Sequence, residues 1–257
     1  MNKNNRALKL IKAKVKKTRL YQYYSTHNLS GLNVNEELDD NQVFDSISKW
    51  IVGNELLVLD KMGVESAKRA TLDAIVALLL GLKSKEGGKI LEFSELLSGE
   101  GGCNVPGAKL KLSCSQATYA GAALCQVHDI NDGHPFAGES GGSFHPGRVV
   151  VPASLALAQE AGLTGLQFLQ AVAIGYEVAL NVKNGPMNAP SEVYGAAAVA
   201  CFAFKFSEVK ASFALRLAGF SASQSGGEDF EINNLTCAQQ ARGGVDSALL
   251  VRQGYPV

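Results

Sequence analysis

A chain of 257 residues, of which 46% are hydrophobic, is long enough to bury one sizeable core or to form two smaller domains. Its 24 basic and 24 acidic residues balance, so the net charge gives no reason to expect a nucleic acid or an acidic membrane surface as a partner. Aromatic residues make up only 7% of the chain while alanine and leucine are abundant, which favours closely packed helices over a sheet-rich fold.

The first 35 residues are basic and contain no acidic residue before Glu36. Their apolar residues are interrupted by lysines, so they do not form the continuous apolar core of a secretory signal. An organellar presequence is one interpretation, and a solvated or partly helical extension is the one we favour. We therefore predict a basic N-terminal extension over residues 1–43 and a helical domain over residues 44–257.

From Phe44 onward the apolar pattern is helical. Phe44, Ile47 and Ile51 share one helical face, and residues 64–82 form a second amphipathic segment. The residues expected on the buried side of that second segment are Leu72, Ile75, Val76, Leu79 and Leu80. The longest apolar run, residues 74–80, is much too short to cross a membrane, which takes roughly 20 residues.

Glycines and capping residues predict where the remaining helices begin and end. Gly87-Gly88 and residues 99–102 indicate breaks on either side of a short helix over residues 90–97, and Gly162 indicates the end of a later one. Thr164 with Gln167 has the spacing of a capping box and predicts a helix that reaches about residue 182. Ser207 predicts the start of another helix, which reaches about residue 220. Two further helices are predicted over residues 195–204 and 235–253. Residues 109–113 alternate like a short strand. These patterns predict a single all-α domain of roughly eight to ten helices with little or no sheet.

The five cysteines are scattered, odd in number and without a Cys-x-x-Cys spacing. This usage predicts reduced, mostly buried thiols in a cytoplasmic protein.

A polar cluster interrupts the helical pattern at residues 126–134 and 145–148. It contains three of the four histidines of the chain, together with Asp129 and Asp132, on a glycine-rich segment. Histidine and aspartate side chains are costly to bury without partners. The cluster therefore predicts a binding or catalytic site.

The segments around this cluster resemble the MmgE/PrpD family, which includes 2-methylcitrate dehydratase, cis-aconitate decarboxylase and iminodisuccinate epimerase. In that family an Asp-aromatic-Asp-Asp loop leads to a His-Pro pair, a Pro-capped Ala-rich helix and a helix that ends in Gly-Tyr-Glu-Val. The matching segments here are residues 129–132, His145-Pro146, the Ala-rich stretch after Pro152, and residues 175–178. The resemblance is specific over residues 117–180 and looser from residue 44 to residue 254.

The resemblance implies proton removal beside a carboxylate or carbonyl, followed by loss of water, loss of carbon dioxide or reprotonation. Such chemistry needs an acid, a base and groups that hold the substrate while negative charge develops. Asp129 and His145 align with the family's acidic loop and active-site histidine, with about six extra residues between Asp132 and His145 in a glycine-rich segment. The candidate catalytic residues are Asp129, His145, His134 and Asp132, and the candidate substrate-binding residues are Tyr194, Asn233 and Arg148.

Several of these residues have a quieter structural interpretation. His128 and Tyr194 could pack against the core, Asp132 could cap a turn, and His134-Pro135 could be an exposed loop tip. Metal binding through His134, His145 and Asp129 lacks a recognised spacing, so we predict no metal and no cofactor.

Two departures from the family pattern bear on the reaction. Residues 186–191 lack the family's second histidine, and Asn233 stands where the family has a lysine. Asparagine can bond a carboxylate but cannot supply charge or shuttle a proton. Because Glu228, Asp229 and Glu231 lie close by, we expect a substrate with an amine or with fewer carboxylates.

The family enzymes continue into a smaller lid domain, whereas this sequence ends at Val257. We therefore expect a lidless lyase or isomerase of dehydratase, decarboxylase or epimerase type, acting on a small polar substrate such as one of a specialised biosynthetic pathway. The alternative is a non-catalytic helical dimerisation or partner module, paired with a separate lid-bearing subunit. The resemblance also implies a homodimer, with neither nucleic acid nor membrane as a partner.

Overall fold

The computed structural model describes residues 39–54, 59–133, 145–182, 189–222 and 230–256, with the backbone alone for residues 230–234. Within these ranges it contains nine helices and two short strands, which confirms the predicted all-α class. The helices are α1 (Asp40–Gly53), α2 (Lys61–Leu82), α3 (Lys85–Ser98), α4 (Cys114–Gln126), α5 (Gly147–Ala161), α6 (Gly165–Asn181), α7 (Ser191–Ala203), α8 (Glu208–Ser221) and α9 (Phe230–Arg252). The strands are β1 (Cys103–Asn104) and β2 (Lys111–Leu112), which pair antiparallel.

Local capping residues start the helices as the sequence predicts. Thr164 and Gln167 form the expected capping box at the start of α6, and Asp39 forms a second one with Gln42 at the start of α1. Gly162 adopts a left-handed conformation with φ of 67° and ends α5, as predicted. The predicted start at Thr164 and the predicted end at Gly162 are confirmed, whereas the capping box at Asp39 was not predicted from the sequence.

The predicted break at Gly87-Gly88 is wrong. Both glycines lie in the first turns of α3, because the side chain of Ser84 accepts a hydrogen bond from the Gly87 backbone and starts the helix there. Gly87 is also required for packing, since a Cβ at this position would overlap the carbonyl oxygen of Gly81. The sequence pattern identified the glycines but not the cap that precedes them.

The predicted buried face of α2 is also wrong in part. The side chains of Leu72 and Val76 are 63% and 41% exposed. The buried stripe of this helix instead consists mainly of small residues, namely Ser66, Ala67, Ala70, Ala74, Ala77, Leu78 and Gly81. A Cβ at Gly81 would overlap the carbonyl oxygen of Leu124 in α4, so the two helices approach too closely for large side chains between them.

The core is built around α4, α5, α6, α7 and α9. Helix α4 packs against α2, α3, α5 and α9, and α6 packs against α7. Glycines permit these close contacts: a Cβ at Gly195 would lie 2.8 Å from the carbonyl oxygen of Gly175, and one at Gly244 would lie 2.6 Å from that of Val193. The predicted face of Phe44, Ile47 and Ile51 is buried as well.

The five cysteines are buried and free, as the sequence predicts. Among the described residues, no helix has both the length and the apolar character that a membrane crossing requires.

Candidate functional site

The predicted polar cluster lies where α4 ends and α5 begins. The chain turns sharply after Gln126, and the Asp129 backbone donates a hydrogen bond to the Gln126 carbonyl at 2.9 Å. Asp129 has a φ of 47°, in the left-handed region that aspartate tolerates better than most residues. The turn leaves the side chain of Asp129 exposed at the surface of this junction.

The carboxyl group of Asp132 connects this loop to two helices. Its Oδ1 accepts a hydrogen bond from the Gly147 backbone at 3.2 Å, and its Oδ2 accepts one from the Tyr176 hydroxyl at 2.7 Å. Pro146, the residue before α5, provides no side-chain cap. The free N–H of Gly147 is instead bonded by the carboxyl group of Asp132, which lies 15 residues earlier in the chain. Asp132 therefore fixes the start of α5 against both the loop and α6.

Burial raises the pKa of Asp132 to about 7. The hydrogen bond from Tyr176 opposes this rise, the nearby carboxyl of Asp73 adds to it, and the Gly147 N–H and Arg148 lower it. Burial also raises the pKa of Asp73, against a hydrogen bond from the Asp132 backbone. Two acidic groups with raised pKa values thus lie side by side at this junction.

His145 is oriented by the backbone of Asp132. Its Nδ1 contacts the Asp132 carbonyl oxygen, and because a carbonyl can only accept, Nδ1 carries the proton. The neutral ring then has its lone pair on Nε2, for which no partner is found among the described residues. Burial lowers the pKa of His145, while the Asp132 carbonyl and the Asp129 charge raise it. The side chain is therefore a neutral base at neutral pH.

Arg148 is held by other protein groups. Its Nη1 donates to Gln126 Oε1 at 3.0 Å, and its Nη2 lies 3.6 Å from Oε1 of Glu192. The side chains of this ion pair are 17% and 8% exposed. Burial raises the pKa of Glu192, and the positive charge of Arg148 lowers it. The charge of Arg148 is thus already balanced within the protein.

Gln126 connects Arg148 to the acidic loop. Its Oε1 also accepts from Asn131 Nδ2 at 2.8 Å, while its Nε2 donates to Asp129 Oδ1 at 3.3 Å. The last residue of α4 thereby joins the turn that carries Asp129 to the first turn of α5.

The structure thus brings Asp129, Asp132, His145 and Arg148 into one hydrogen-bonded region. Tyr194 is placed elsewhere: its side chain is 0% exposed and packs on Phe44, with ring centroids 5.6 Å apart. Burial raises its pKa. This placement favours the packed tyrosine over a substrate-binding one.

Two of the predicted residues lie outside what the structure describes. His134 belongs to the undescribed segment 134–144, and Asn233 lies at the start of α9, where only the backbone is described. Among the neighbouring histidines, His128 has its Nε2 3.2 Å from the Leu80 carbonyl oxygen, which agrees with the packing interpretation.

Sequence reasoning missed four residues that support the cluster, namely Asp73, Gln126, Tyr176 and Glu192. Gln126 and Tyr176 lie in the segments that carry the family resemblance, but nothing in the sequence assigned either side chain a function. Asp73 and Glu192 lie far from the loop in sequence, and only the packing of α2 and α7 brings them to it. The described residues contain no group of three or more His, Cys, Asp or Glu that could hold a metal ion.

The chain is an all-α protein whose polar cluster lies at the junction of two core helices. A family model described as the MmgE/PrpD N-terminal domain matches residues 45–256, which is most of the chain. The chain belongs to the MmgE/PrpD family. No curated protein is a significant match to it.

Proposed function

We propose that this chain carries a proton-transfer site of lyase or isomerase type, acting beside a carboxylate or carbonyl of a small polar substrate. The observation that supports the proposal best is His145, whose Nδ1 is held by the Asp132 carbonyl and whose lowered pKa keeps the ring neutral. A neutral imidazole with a fixed tautomer is a competent general base at neutral pH. Dehydration, decarboxylation and epimerisation all begin or end with such a step.

In the proposed mechanism, Nε2 of His145 takes the proton from the carbon next to the activating group. Asp129 is the partner acid, because it is exposed at the same junction beside His145, where it can take up a proton from solvent and then deliver it to the substrate. Asp132 positions His145 through its carbonyl, since both of its carboxyl oxygens already accept hydrogen bonds. His134 is retained in the proposal as a further acid or base.

The charges around the site support a substrate with an amine or with few carboxylates. Arg148 is balanced by Glu192, and Asp129, Asp132 and Asp73 are acidic. A polyanion bound at this place would meet net negative charge from these described groups. A substrate with one carboxylate or carbonyl and a cationic or neutral remainder would not.

The proposal is tested by hydrogen exchange at carbon. We would incubate the protein in D₂O with a panel of small hydroxy, amino and keto carboxylates and follow loss of C–H signals by NMR. His145→Gln keeps hydrogen bonding but removes the base, so we expect exchange or turnover to fall by roughly 10²–10⁴-fold. Its melting temperature should stay within a few degrees of the wild type.

His128→Gln is the matched control, because it changes another histidine of the same loop that contacts the Leu80 carbonyl. It should retain most of the activity. If His145→Gln is as active as His128→Gln on a substrate that the wild type turns over, His145 is not the base.

The second candidate function is a non-catalytic partner module. It is favoured by large apolar side chains exposed on α2 and α3, of which Leu96 is 80% exposed.

We also propose a homodimer, and a separate lid-bearing subunit is a further candidate partner. Sedimentation showing a monomer at micromolar concentration would contradict the homodimer. A cytoplasmic location belongs to the same proposal and is supported by the five free cysteines.

A further inference from the structure

Gln126 is almost completely buried, with 4% of its surface exposed, yet three polar side chains meet on its amide. Arg148 and Asn131 both donate to its Oε1, at 3.0 and 2.8 Å. Its Nε2 donates to the Asp129 carboxylate at 3.3 Å. A buried amide with partners on both of its ends is a fixed element rather than a surface contact.

The orientation of this amide is determined by Arg148. A guanidinium group can only donate, so the atom that faces Arg148 must be the amide oxygen. Rotating the amide by half a turn would place its N–H groups against those of Arg148. Arg148 is itself held in place by Glu192 on α7. The N–H of Gln126 is therefore forced to face Asp129.

We infer that Gln126 is a positioning residue of the acid–base site, which orients the Asp129 carboxyl group with one directed N–H bond. The inference rests on the proposed function, in which Asp129 is the acid. The turn in which Asp129 has a φ of 47° also contains the contact between its Oδ1 and the Gln126 amide. The ionisable groups of this network are Asp129 and Asp132 in the loop, His145 before α5, Arg148 on α5 and Glu192 on α7.

Gln126→Glu tests the inference because it keeps the shape and the acceptor that Arg148 and Asn131 use. It removes the donor to Asp129 and places a negative charge beside it, so Asp129 should hold its proton to higher pH. We expect the NMR titration midpoint of the Asp129 carboxyl carbon, assigned with Asp129→Asn, to rise by about one pH unit. The alkaline limb of the pH profile for exchange or turnover, where the acid loses its proton, should move to higher pH with it.

Two further variants keep the test decisive. Gln126→Met retains the volume of the side chain, removes the N–H donor to Asp129 and adds no charge. It should shift the titration midpoint of Asp129 in the same direction by a smaller amount. If Gln126→Glu does not melt cooperatively, the test is made with Gln126→Met alone. Gln116→Glu is the matched control, because Gln116 is also buried in α4 but lies ten residues earlier. It should leave the Asp129 midpoint unchanged.

Equal midpoints for the Gln126 variants and Gln116→Glu would overturn the inference. The proposed function fails by a different result, namely full activity in His145→Gln. Because the carboxyl titration needs no substrate, a failure of one proposal is distinguishable from a failure of the other.

Discussion

The contact between α6 and α7 and the junction between α4 and α5 are both buried, but different physical terms hold them together. At the first, Gly175 and Gly195 let two helices approach until their backbones touch, and size alone decides which residue fits. At the second, Gln126 and Asp132 each join several hydrogen-bonding partners, and the direction of each donor decides which residue fits. The comparison shows that side-chain volume decides which residues fit in the helix bundle, whereas the direction of hydrogen bonds decides which residues fit at the polar cluster.

Helix α4 takes part in both regions. Its middle, residues 117–124, is buried in the core and consists mostly of small residues, whereas its last residue, Gln126, belongs to the polar cluster. A substitution at one end of this helix should therefore change stability through packing, and one at the other end should change ionisation. The predictions below separate these two kinds of effect.

The largest effect on stability should come from the ionisation of Asp132. The unfolded chain ionises this group near pH 4, while the folded protein does so at about pH 7. Between these values the folded state holds a proton that the unfolded state has lost, so the free energy of unfolding should fall as pH rises. At about 1.4 kcal/mol per pH unit, the loss between pH 4 and 7 should be on the order of 2–4 kcal/mol.

Asp132→Asn removes this titration, so the free energy of unfolding of the variant should fall less with pH, although Asp73 and Glu192, whose pKa values are also raised, still contribute in both proteins. Urea unfolding of both proteins at pH 4, 5.5, 7 and 8 measures the difference between them. The lowered pKa of His145 acts in the opposite sense in both proteins and cancels in that difference. Parallel curves for the two proteins would show that Asp132 is not the titrating group.

The second largest effect should come from Gly81→Ala. The new Cβ would overlap the Leu124 carbonyl oxygen, which is backbone and cannot rotate away, so α2 and α4 would have to separate. Overpacking of this kind costs about 1–3 kcal/mol. Chemical denaturation should show that loss without a change in the pH dependence described above.

Gly88→Ala is the control for that substitution. A Cβ at Gly88 would meet nothing within 4 Å, and the residue lies inside α3. The same change there should stabilise the protein by about 0.4–1 kcal/mol, because alanine restricts the unfolded chain. Destabilisation at both positions would mean that packing at Gly81 is not the cause.

The smallest effect should come from deleting residues 1–35, which lie outside the described residues. They are basic and precede the family match, so the helical core should fold without them. The helical circular dichroism per residue of the core and its cooperative melt should persist. Loss of the melt would show that the extension contributes to packing.

Much of the helical fold could be predicted from the sequence, because capping residues act locally. Thr164 with Gln167, and Gly162, define helix ends through hydrogen bonds within a few residues. The orientation of α2 could not be predicted in this way. Its leucines suggested a buried face, but the close approach at Gly81 buries the alanines and exposes Leu72.

The site was predictable where its residues are consecutive and not where it depends on packing. The loop with Asp129 and Asp132 and the His145-Pro146 pair could be located from the sequence. Asp73 and Glu192 reach the loop from α2 and α7, and nothing near them in the sequence indicates a polar partner. For Tyr194 the sequence left substrate binding and packing open, and the fold buries its side chain against Phe44.

The double attachment of Asp132 has a consequence for the segment between Asp132 and His145. Its carbonyl holds His145 and its carboxylate holds the start of α5, so the two ends of the intervening segment are fastened to each other by the same residue. Loop-closure entropy grows only slowly with length, so extra residues in that segment would cost little once its ends are fixed. A change in the length of that segment should therefore leave His145 and the first turn of α5 in their places, because one residue holds both.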